Sequence, residues 1–213
     1  WGSCARISPE AHVQVIKVDN ESMLLGGAGN VVNNLKTLGA KVDVISVIGG
    51  CKTSLELKEL LLEINISTDY LIFQKNRVSS KKSRVIAEQQ QVVRYDLEST
   101  DEINNNSQMA IIKTFKSIIN VYDVILLSDY GKGVLTYDLT QSLIGIASQY
   151  EKKLLIDPKG LDYSKYKGAY LLTPNKKEAS EATNISISNS ESLTKALQNL
   201  KEQCNLKVSL ITL

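Results

Sequence analysis

Residues 124–133 decide the fold class; they read Val124-Ile125-Leu126-Leu127-Ser128-Asp129-Tyr130-Gly131-Lys132-Gly133. Four consecutive apolar residues run directly into polar residues and glycines, which is typical of a buried strand that ends in a loop. The pattern recurs at 153–160 and at 170–175, and a segment with helical apolar spacing, 137–150, separates the first two runs. Strands that alternate with helices form parallel crossover units, so the sequence predicts a layered α/β/α fold with a mostly parallel sheet.

The remaining segments extend this alternation toward both ends of the chain. Residues 83–97 differ, because two short apolar runs are joined by Glu88-Gln89-Gln90-Gln91, and this predicts an exposed β-hairpin that forms a small lid. A second lid element is expected over about 6–18. The other predicted elements are strands at 12–18, 41–48, 69–73 and 207–212, helices at 27–38, 54–64, 107–119, 176–182 and 190–203, and a polar linker at 101–106.

The composition is that of a globular protein with one main domain. The 213 residues are 43% hydrophobic and 23% charged, which argues against a disordered chain. The most apolar long stretch, 110–127, is interrupted by lysines and an aspartate and is unsuited to a membrane span. The net charge of +2 gives no reason to expect a nucleic acid or a membrane surface as a partner.

Cysteine and histidine residues are too few for several kinds of active site. Cys4, Cys51 and Cys204 form no CxxC pair and no disulfide framework. They favour a reducing compartment, and together with the lack of a recognisable signal peptide they predict a cytoplasmic protein. Because His12 is the only histidine, a Ser-His-Asp triad or a multi-histidine metal centre would have to be built around that one residue.

Polar side chains follow three predicted strands at the point where each strand ends. Asp129 and Lys132 follow the first strand, Asp157 and Lys159 the second, and Asn175 the third. In an open parallel sheet, ligands bind beyond the carboxyl ends of the strands. A single Asp-Pro or Asp-Tyr-Gly would be an ordinary turn, but three such endings at one edge predict a site for a polyanion or a sugar.

The first clear helix begins with Gly26-Gly27-Ala28-Gly29-Asn30. Glycines let a ligand approach the backbone closely, and a helix start offers unpaired N–H donors. The same glycines would also suit a tight turn without any ligand. The segment lacks the GxGxxG order of dinucleotide-binding proteins, and the chain has no GxxxxGK[ST] P-loop.

Asn175 and Glu178 stand three positions apart at a predicted helix start. This spacing fits a capping box, in which the two side chains bond each other's backbone N–H groups. It also allows Glu178 to hold a magnesium ion through water beside nucleotide phosphates. Both roles are compatible, and the sequence leaves both open.

Taken together, these motifs resemble the ribokinase-like (PfkB) carbohydrate kinases. The superfamily resemblance rests on Gly26–Asn30, on Asp129–Gly133 and on Asn175-x-x-Glu178. Within that family, four longer stretches resemble the kinases that act on D-glycero-β-D-manno-heptose 7-phosphate. These stretches are Arg6-Ile7-Ser8-Pro9-Glu10-Ala11, Leu127–Gly133, Ile156-Asp157-Pro158-Lys159-Gly160 and Leu171-Leu172-Thr173-Pro174-Asn175.

The resemblance implies ATP- and Mg²⁺-dependent phosphorylation of the anomeric hydroxyl of that heptose, which gives the 1,7-bisphosphate used for lipopolysaccharide heptose. It also implies roles for individual residues. The sugar-side residues would be Gly26, Gly27, Asn30, Asp129 and Lys132; the nucleotide-side residues would be Asn175, Lys176, Lys177, Glu178, Asp157 and Lys159, with Glu178 also serving the metal.

Cationic residues in the predicted lid are a separate set of candidates. A substrate phosphate needs cationic or N–H partners, and Arg6, Lys82, Arg84 and Arg94 are placed to supply them. The alternative is that these residues are simply solvated parts of the lid.

Some family features are altered here or expected outside the chain. Leu25 and Gly29 replace a proline and an alanine of the family's glycine motif, and Gly49-Gly50-Cys51-Lys52 stands where an acidic loop is expected. By the resemblance, a sugar-binding aspartate would precede Trp1, and the Gly-Ala-Gly-Asp segment with the catalytic base and the adenine pocket would follow Leu213. We therefore expect an internal piece of a longer protein, inactive by itself, with Asp129 or Asp157 as the in-chain alternatives for the base.

Other functions remain open at this point. The chain could belong to another PfkB sugar or sugar-phosphate kinase, or to a non-catalytic nucleotide-binding relative that has lost its base. An exposed lid hairpin favours a homodimer, because strand edges tend to pair. The resemblance also allows a fused nucleotidyltransferase domain outside this chain.

Overall fold

A computed structural model of the chain describes residues 2–7, 14–87 and 89–213, and it confirms the α/β class. Strands and helices alternate along most of this length. The strands are β1 (Gly2–Ile7), β2 (Gln14–Val18), β3 (Ser46–Ile48), β4 (Leu71–Phe73), β5 (Lys81–Ala87), β6 (Gln90–Leu97), β7 (Val124–Ser128), β8 (Lys153–Asp157), β9 (Leu171–Leu172) and β10 (Val208–Ser209). The α-helices are α1 (Ala28–Thr37), α2 (Lys52–Glu63), α3 (Asn105–Ile118), α4 (Tyr137–Gln149), α5 (Lys176–Thr183) and α6 (Ser190–Gln203).

The main sheet is parallel and has the order β10-β9-β8-β7. In its register Leu127 lies beside Ile156, and Ser128 lies beside Asp157. The backbone N–H of Asp129 donates to the carbonyl of Asp157 at 3.0 Å, so the two segments remain hydrogen-bonded where they leave β7 and β8. This register places the polar residues that follow β7 and β8 at one edge of the sheet, as the sequence predicts.

The described strands form two further sheets, one of two strands and one of four. β3 and β4 pair in parallel, while β1, β2, β5 and β6 form a four-stranded sheet in the order β2-β1-β5-β6. The hairpin predicted over 83–97 is present as antiparallel β5 and β6. It joins the antiparallel β1–β2 pair through a single parallel register position, Gly2 beside Ala87. The four strands form a mixed sheet that we call the lid sheet.

The core lies between the main sheet and its helices. Ile156 and Leu172 from the sheet, Ile119 after α3, and Ala196 from α6 are wholly buried in one apolar cluster. Burial of a Leu or Ile side chain contributes about 1.5–3 kcal/mol, so this cluster accounts for the apolar runs read from the sequence. The helix starts are fixed locally as well, because Asn104, Thr136, Asn175 and Asn189 each accept a backbone N–H as N-caps.

Three sequence predictions are corrected in extent. The strand predicted over 41–48 is regular only at 46–48, because its partner β4 offers three residues for pairing. The final strand predicted over 207–212 is regular only at 208–209, because β9 is two residues long and the next contact is an isolated bridge between Asn175 and Thr212. The predicted linker at 101–106 contains buried Ile103 and the start of α3. Trp1, residues 8–13 of the lid element predicted over about 6–18, and Glu88 of the predicted hairpin lie outside the described residues.

Candidate active site

Loops that follow β7, β8 and β9 converge on a cleft of about 420 Å³ at the carboxyl edge of the main sheet. The cleft thus forms where parallel-sheet topology predicts a ligand. Its lining combines residues from all three loops, the start of α5 and the end of the chain: Asp129, Tyr130, Asp157, Pro158, Lys159, Thr173, Asn175, Glu178 and Thr212.

A second cavity, of about 2080 Å³, adjoins the cleft and extends beneath the lid sheet. Asp129 and Tyr130 line both spaces. A Cβ atom added to Gly27 would lie 3.8 Å from the Tyr130 ring, so the glycine segment reaches the boundary between them. Gly26 and Gly27 line the larger cavity, whereas Asn30, in the first turn of α1, does not. The structure therefore brings the predicted sugar-side and nucleotide-side loops together.

Gly27 is required where α1 begins. Its φ of 53° lies in the left-handed region, which L-residues with a Cβ adopt only at a cost. Gly27 is also the N-cap, so no side chain satisfies the first N–H groups of α1. Anionic or hydroxyl oxygens suit such a helix start. The glycine segment thus presents backbone, not side chains, to the larger cavity.

Asp129 is held by the protein itself. Its carboxylate accepts from Lys165 Nζ at 2.6 Å, from the Tyr166 hydroxyl at 2.7 Å and from the Gly131 N–H at 2.7 Å. The residue is only 6% exposed. Both carboxylate oxygens therefore accept hydrogen bonds within the protein and anchor the loop, while the predicted contact with the sugar and the alternative role as a base stay predictions.

Lys165 and Tyr166 were not singled out from the sequence. They lie in the short 3₁₀ turn Ser164–Tyr166, far from Asp129 along the chain. The ammonium of Lys165 also lies over the Tyr166 ring, 5.1 Å from its centroid, which helps to hold the cation in place. A buried tyrosine hydroxyl usually finds a hydrogen-bond partner, but the sequence offers no signal that the partner of Tyr166 is Asp129.

The loop with Lys132 is fixed by Arg77, a third residue that sequence reasoning missed. The Arg77 guanidinium donates to the carbonyls of Lys132 at 2.5 Å and Asp101 at 3.1 Å, and the residue is 7% exposed. Burial lowers the pKa of this guanidinium from its ordinary value. The Arg77 carbonyl would lie 1.5 Å from a Cβ on Gly49, which explains a glycine directly after β3.

Lys132 itself is paired inside the protein. Its ammonium lies 2.5 Å from Glu98, whose other oxygen lies 3.3 Å from Lys82. The Lys132 side chain nevertheless lines the larger cavity. These hydrogen bonds from Lys132 and Lys82 lower the pKa of Glu98. A sugar-side ligand that reaches Lys132 must share it with Glu98, so the predicted contact stays a prediction.

The start of α5 has the capping box that the sequence predicts. Asn175 accepts from the Glu178 N–H at 2.9 Å, and Glu178 accepts from the Asn175 N–H at 3.1 Å. The second oxygen of Glu178 accepts from Lys159 Nζ at 3.0 Å. Lys176 and Lys177 are exposed and do not line the cleft. Capping and cleft exposure therefore coexist in Glu178, which leaves its nucleotide role possible.

Asp157 is a carboxyl group of the cleft whose pKa is shifted. Its pKa is raised, first by burial, then by the negative charges of Glu178 and Asp129, while Lys159 acts in the opposite direction. A carboxylate held near another carboxylate attracts a cation. Among the described residues no three Asp, Glu, Cys or His side chains form a ready-made metal cluster. Two oxygen-donor groups fit a Mg²⁺ ion that keeps most of its water.

The lid cations divide into paired and unpaired residues. Asp96 binds both Lys82 and Arg94, at 2.8 and 2.6 Å, and these contacts lower its pKa strongly. Arg84 lies directly opposite Arg94 in the β5–β6 register and lines the larger cavity. Within the described part of the chain Arg84 has no ion pair, whereas Arg94 opposite it is paired with Asp96. The side chain of Arg6, in β1, lies outside the described residues.

A parallel α/β sheet with a strand-end cleft, a glycine segment at a helix start and a small β lid defines a domain that binds a polar ligand beneath a cover. The model of the family described as "pfkB family carbohydrate kinase" matches residues 2–213, and this chain belongs to that family. Across the described ranges no helix has the length and apolar character of a membrane-spanning segment.

Relatives named "Bifunctional protein HldE" match over the whole chain. The identity is 63% over 213 residues for the protein from Aliarcobacter butzleri and 54% for that from Sulfurimonas denitrificans. Each alignment covers 100% of this chain and 45% of the relative, so the chain spans somewhat less than half the length of these proteins.

Solved structures agree on the fold. Phosphofructokinase-2 from Escherichia coli, in its tetrameric inhibited form, superposes with a TM-score of 0.69 at 19% identity, covering 100% of this chain and 69% of that chain. Ribokinase from Arabidopsis thaliana, complexed with ribose and ATP, gives a TM-score of 0.68 at 12% identity, covering 93% and 64%. The ribokinase-like fold predicted from the sequence is thereby confirmed.

Proposed function

We propose that this chain is part of a kinase that transfers a phosphoryl group from ATP to the anomeric hydroxyl of D-glycero-β-D-manno-heptose 7-phosphate. Membership of the carbohydrate kinase family and the high identity to proteins named bifunctional HldE support the proposal. The observation that carries it is the pair of adjoining spaces that share Asp129 and Tyr130. One space lies under a cationic lid and the other beside Lys159 and Glu178.

The nucleotide phosphates are assigned to the strand-end cleft. Lys159 is half-exposed there and supplies positive charge, and Asn175 fixes the backbone at the start of α5. Glu178 and Asp157 would hold Mg²⁺ through water, since both offer carboxylate oxygens at the cleft. When bound, the ion neutralises charge on the transferred phosphoryl group. ATP and Mg²⁺ are accordingly the proposed cosubstrate and cofactor.

The sugar is assigned to the larger cavity. Backbone N–H groups at Gly26 and Gly27 suit sugar hydroxyls, and Arg84 suits the 7-phosphate, because an Arg–phosphate hydrogen bond is charge-assisted and can be bidentate. A phosphate beside Arg84 would also supply the ion partner that no described residue gives it. The chain's own residues thus bind and orient both substrates, which is most of what phosphoryl transfer requires of a protein.

The deciding experiment is an ADP-release assay on the intact protein with heptose 7-phosphate, fructose 6-phosphate and ribose as acceptors. Turnover only with the heptose phosphate supports the proposal. Preference for another phosphosugar points to a different PfkB specificity, as the altered Leu25, Gly29 and Gly49–Lys52 segments allow. No turnover with any sugar, despite ATP binding, would identify a non-catalytic nucleotide-binding relative.

Arg84→Ala tests the phosphate assignment. Loss of a charged hydrogen bond, about 1.5–3 kcal/mol, should raise KM for the phosphosugar roughly tenfold or more and leave a neutral sugar nearly unaffected. Lys17→Ala is the matched control, since Lys17 is an exposed lid cation that does not line the cavity. Equal KM values for wild type and Arg84→Ala would refute the assignment.

The assembly proposals concern the lid and the rest of the protein. β6 is an edge strand of the lid sheet with exposed Val93, Tyr95 and Leu97, and such an edge favours a homodimer. A nucleotidyltransferase domain outside this chain is proposed because the relatives are named bifunctional and are longer. A cytoplasmic location agrees with the cysteine content and with ATP as cosubstrate.

A further inference from the structure

The Tyr166 hydroxyl links two neighbouring loops that line the cleft, the loop after β7 and the loop after β8. It donates to Asp129 Oδ2 at 2.7 Å on the loop after β7. The N–H of Lys159, on the loop after β8, donates to the same hydroxyl at 3.0 Å. The Tyr166 side chain is wholly buried and does not line the cleft. Tyr166 therefore contacts both loops but is not itself part of the cleft lining.

The hydroxyl has one proton, and its neighbours decide where that proton points. The Lys159 carbonyl lies 3.1 Å from the hydroxyl and competes with Asp129 as the acceptor. The carboxylate is charged and closer, so it takes the proton, and the hydroxyl oxygen accepts from the Lys159 N–H. Burial raises the pKa of Tyr166, which keeps the proton in place. A continuous chain of hydrogen bonds then runs from Lys159 through Tyr166 to Asp129.

Asp129 connects the Tyr166 hydrogen bond to the backbone of its own loop. Its second oxygen accepts from the Gly131 N–H at 2.7 Å, and Lys165 neutralises its charge at 2.6 Å. On the other side, Lys159 carries the ion pair with Glu178 at the start of α5. One buried hydroxyl thus adds a side-chain link between the two loops, beyond the backbone bond that joins the Asp129 N–H to the Asp157 carbonyl where the loops begin.

We infer that Tyr166 is a positioning residue that sets the distance between the phosphosugar and the nucleotide phosphates. The inference rests on the proposed kinase function, which places the sugar in the larger cavity and the nucleotide phosphates in the strand-end cleft, the two spaces that meet at Asp129. Transfer requires the acceptor hydroxyl and the γ-phosphate to lie within near-contact distance in line, so a small change in loop spacing lowers the rate more than the affinity for either ligand.

The chain offers a matched control in Tyr163. Its ring packs edge-on against Tyr166, with centroids 5.5 Å apart, and it is 5% exposed. Its hydroxyl is buried without a hydrogen-bond partner among the described residues. Tyr166→Phe and Tyr163→Phe therefore remove the same atom from neighbouring buried rings, and only the first removal breaks the link between the loops.

The test compares kcat and KM of the intact enzyme with whichever sugar the wild type phosphorylates. Tyr166→Phe should lower kcat roughly tenfold to a hundredfold with each KM changed by less than about threefold, whereas Tyr163→Phe should leave kcat unchanged. Unchanged kcat in Tyr166→Phe, or equal losses in both variants, would overturn the inference. A wild type without kinase activity refutes the proposed function instead, so the two failures are distinct.

A second comparison separates the link through Tyr166 from the charge on Asp129. Lys165→Met removes the other donor to Asp129 Oδ2 from a side chain that is 22% exposed, and leaves the Tyr166 hydroxyl bonded to both loops. It should lower kcat less than Tyr166→Phe does, and Lys165→Arg should restore most of the loss. A loss of kcat in Lys165→Met as large as that in Tyr166→Phe would assign the effect to the charge of Asp129 and would overturn the inference.

Discussion

Replacement of Gly133 by alanine tests whether the second glycine of Asp129–Gly133 is a backbone requirement. Gly133 has φ +73°, and a Cβ there would lie 2.0 Å from the Asp101 carbonyl oxygen. The obstacle is backbone, which cannot rotate away as a side-chain tip can. Gly133→Ala should therefore force the loop at 131–133 away from the segment that precedes α3.

The cost has two parts. A left-handed φ costs an L-residue about 1–2 kcal/mol. Displacing the loop also weakens the bond from the Ile103 N–H to the Gly133 carbonyl, 2.9 Å, and the two bonds from Arg77. At about 1 kcal/mol for a neutral bond and 1.5–3 for a charged one, loss of half of this network brings the total to roughly 4 kcal/mol.

Gly39→Ala is the matched control. Gly39 also has a positive φ, +89°, but a Cβ there meets nothing within 4 Å. Gly39→Ala should lower the free energy of unfolding only by the cost of the left-handed φ, about 1–2 kcal/mol. For a chain of this size 1 kcal/mol corresponds to about 2–4 °C, so Tm should fall by roughly 12 °C for Gly133→Ala and about 4 °C for Gly39→Ala. Equal losses of Tm in thermal unfolding would refute the steric reasoning.

Two further predictions concern the cleft. The raised pKa of Asp157 means that the folded state binds the carboxyl proton more tightly than the unfolded state, so stability falls as pH rises through the raised value. Asp157→Asn should therefore have a higher urea midpoint than wild type near neutral pH, and the two midpoints should converge near pH 3. The same variant should weaken Mg²⁺-dependent ATP binding. A lower midpoint for Asp157→Asn at neutral pH would contradict this. Asn175→Ala should cost about 1 kcal/mol of stability and also raise KM for ATP, whereas Asn189→Ala, which removes the equivalent cap of α6, should cost the same stability and leave KM unchanged.

Lengths of the strands were less predictable than their positions. The apolar run 41–48 suggested a long strand, yet strand length is set by the partner, and β4 supplies only three positions. In contrast, α4 and α6 match their predicted ranges closely, because helices depend on local spacing and on caps such as Thr136 and Asn189.

The sequence alone determined the alternation of strands and helices, the glycine at the start of α1, and the delivery of Asp129, Asp157 and Asn175 to one edge of the sheet. These features follow from local periodicity and from the geometry of parallel strands, so they can be read without knowing any long-range contact.

Only the tertiary structure decided which polar groups face a ligand and which hold the protein together. Asp129 accepts a hydrogen bond from Tyr166, 37 positions away, and Arg77 donates a hydrogen bond to the Lys132 carbonyl, 55 positions away. A buried charge or hydroxyl must find a partner wherever the fold brings one, and that choice has no periodic trace in the chain. For this reason the sequence predicted Asp129 at the ligand site, where it lines both spaces, but not its additional role as the anchor of its loop.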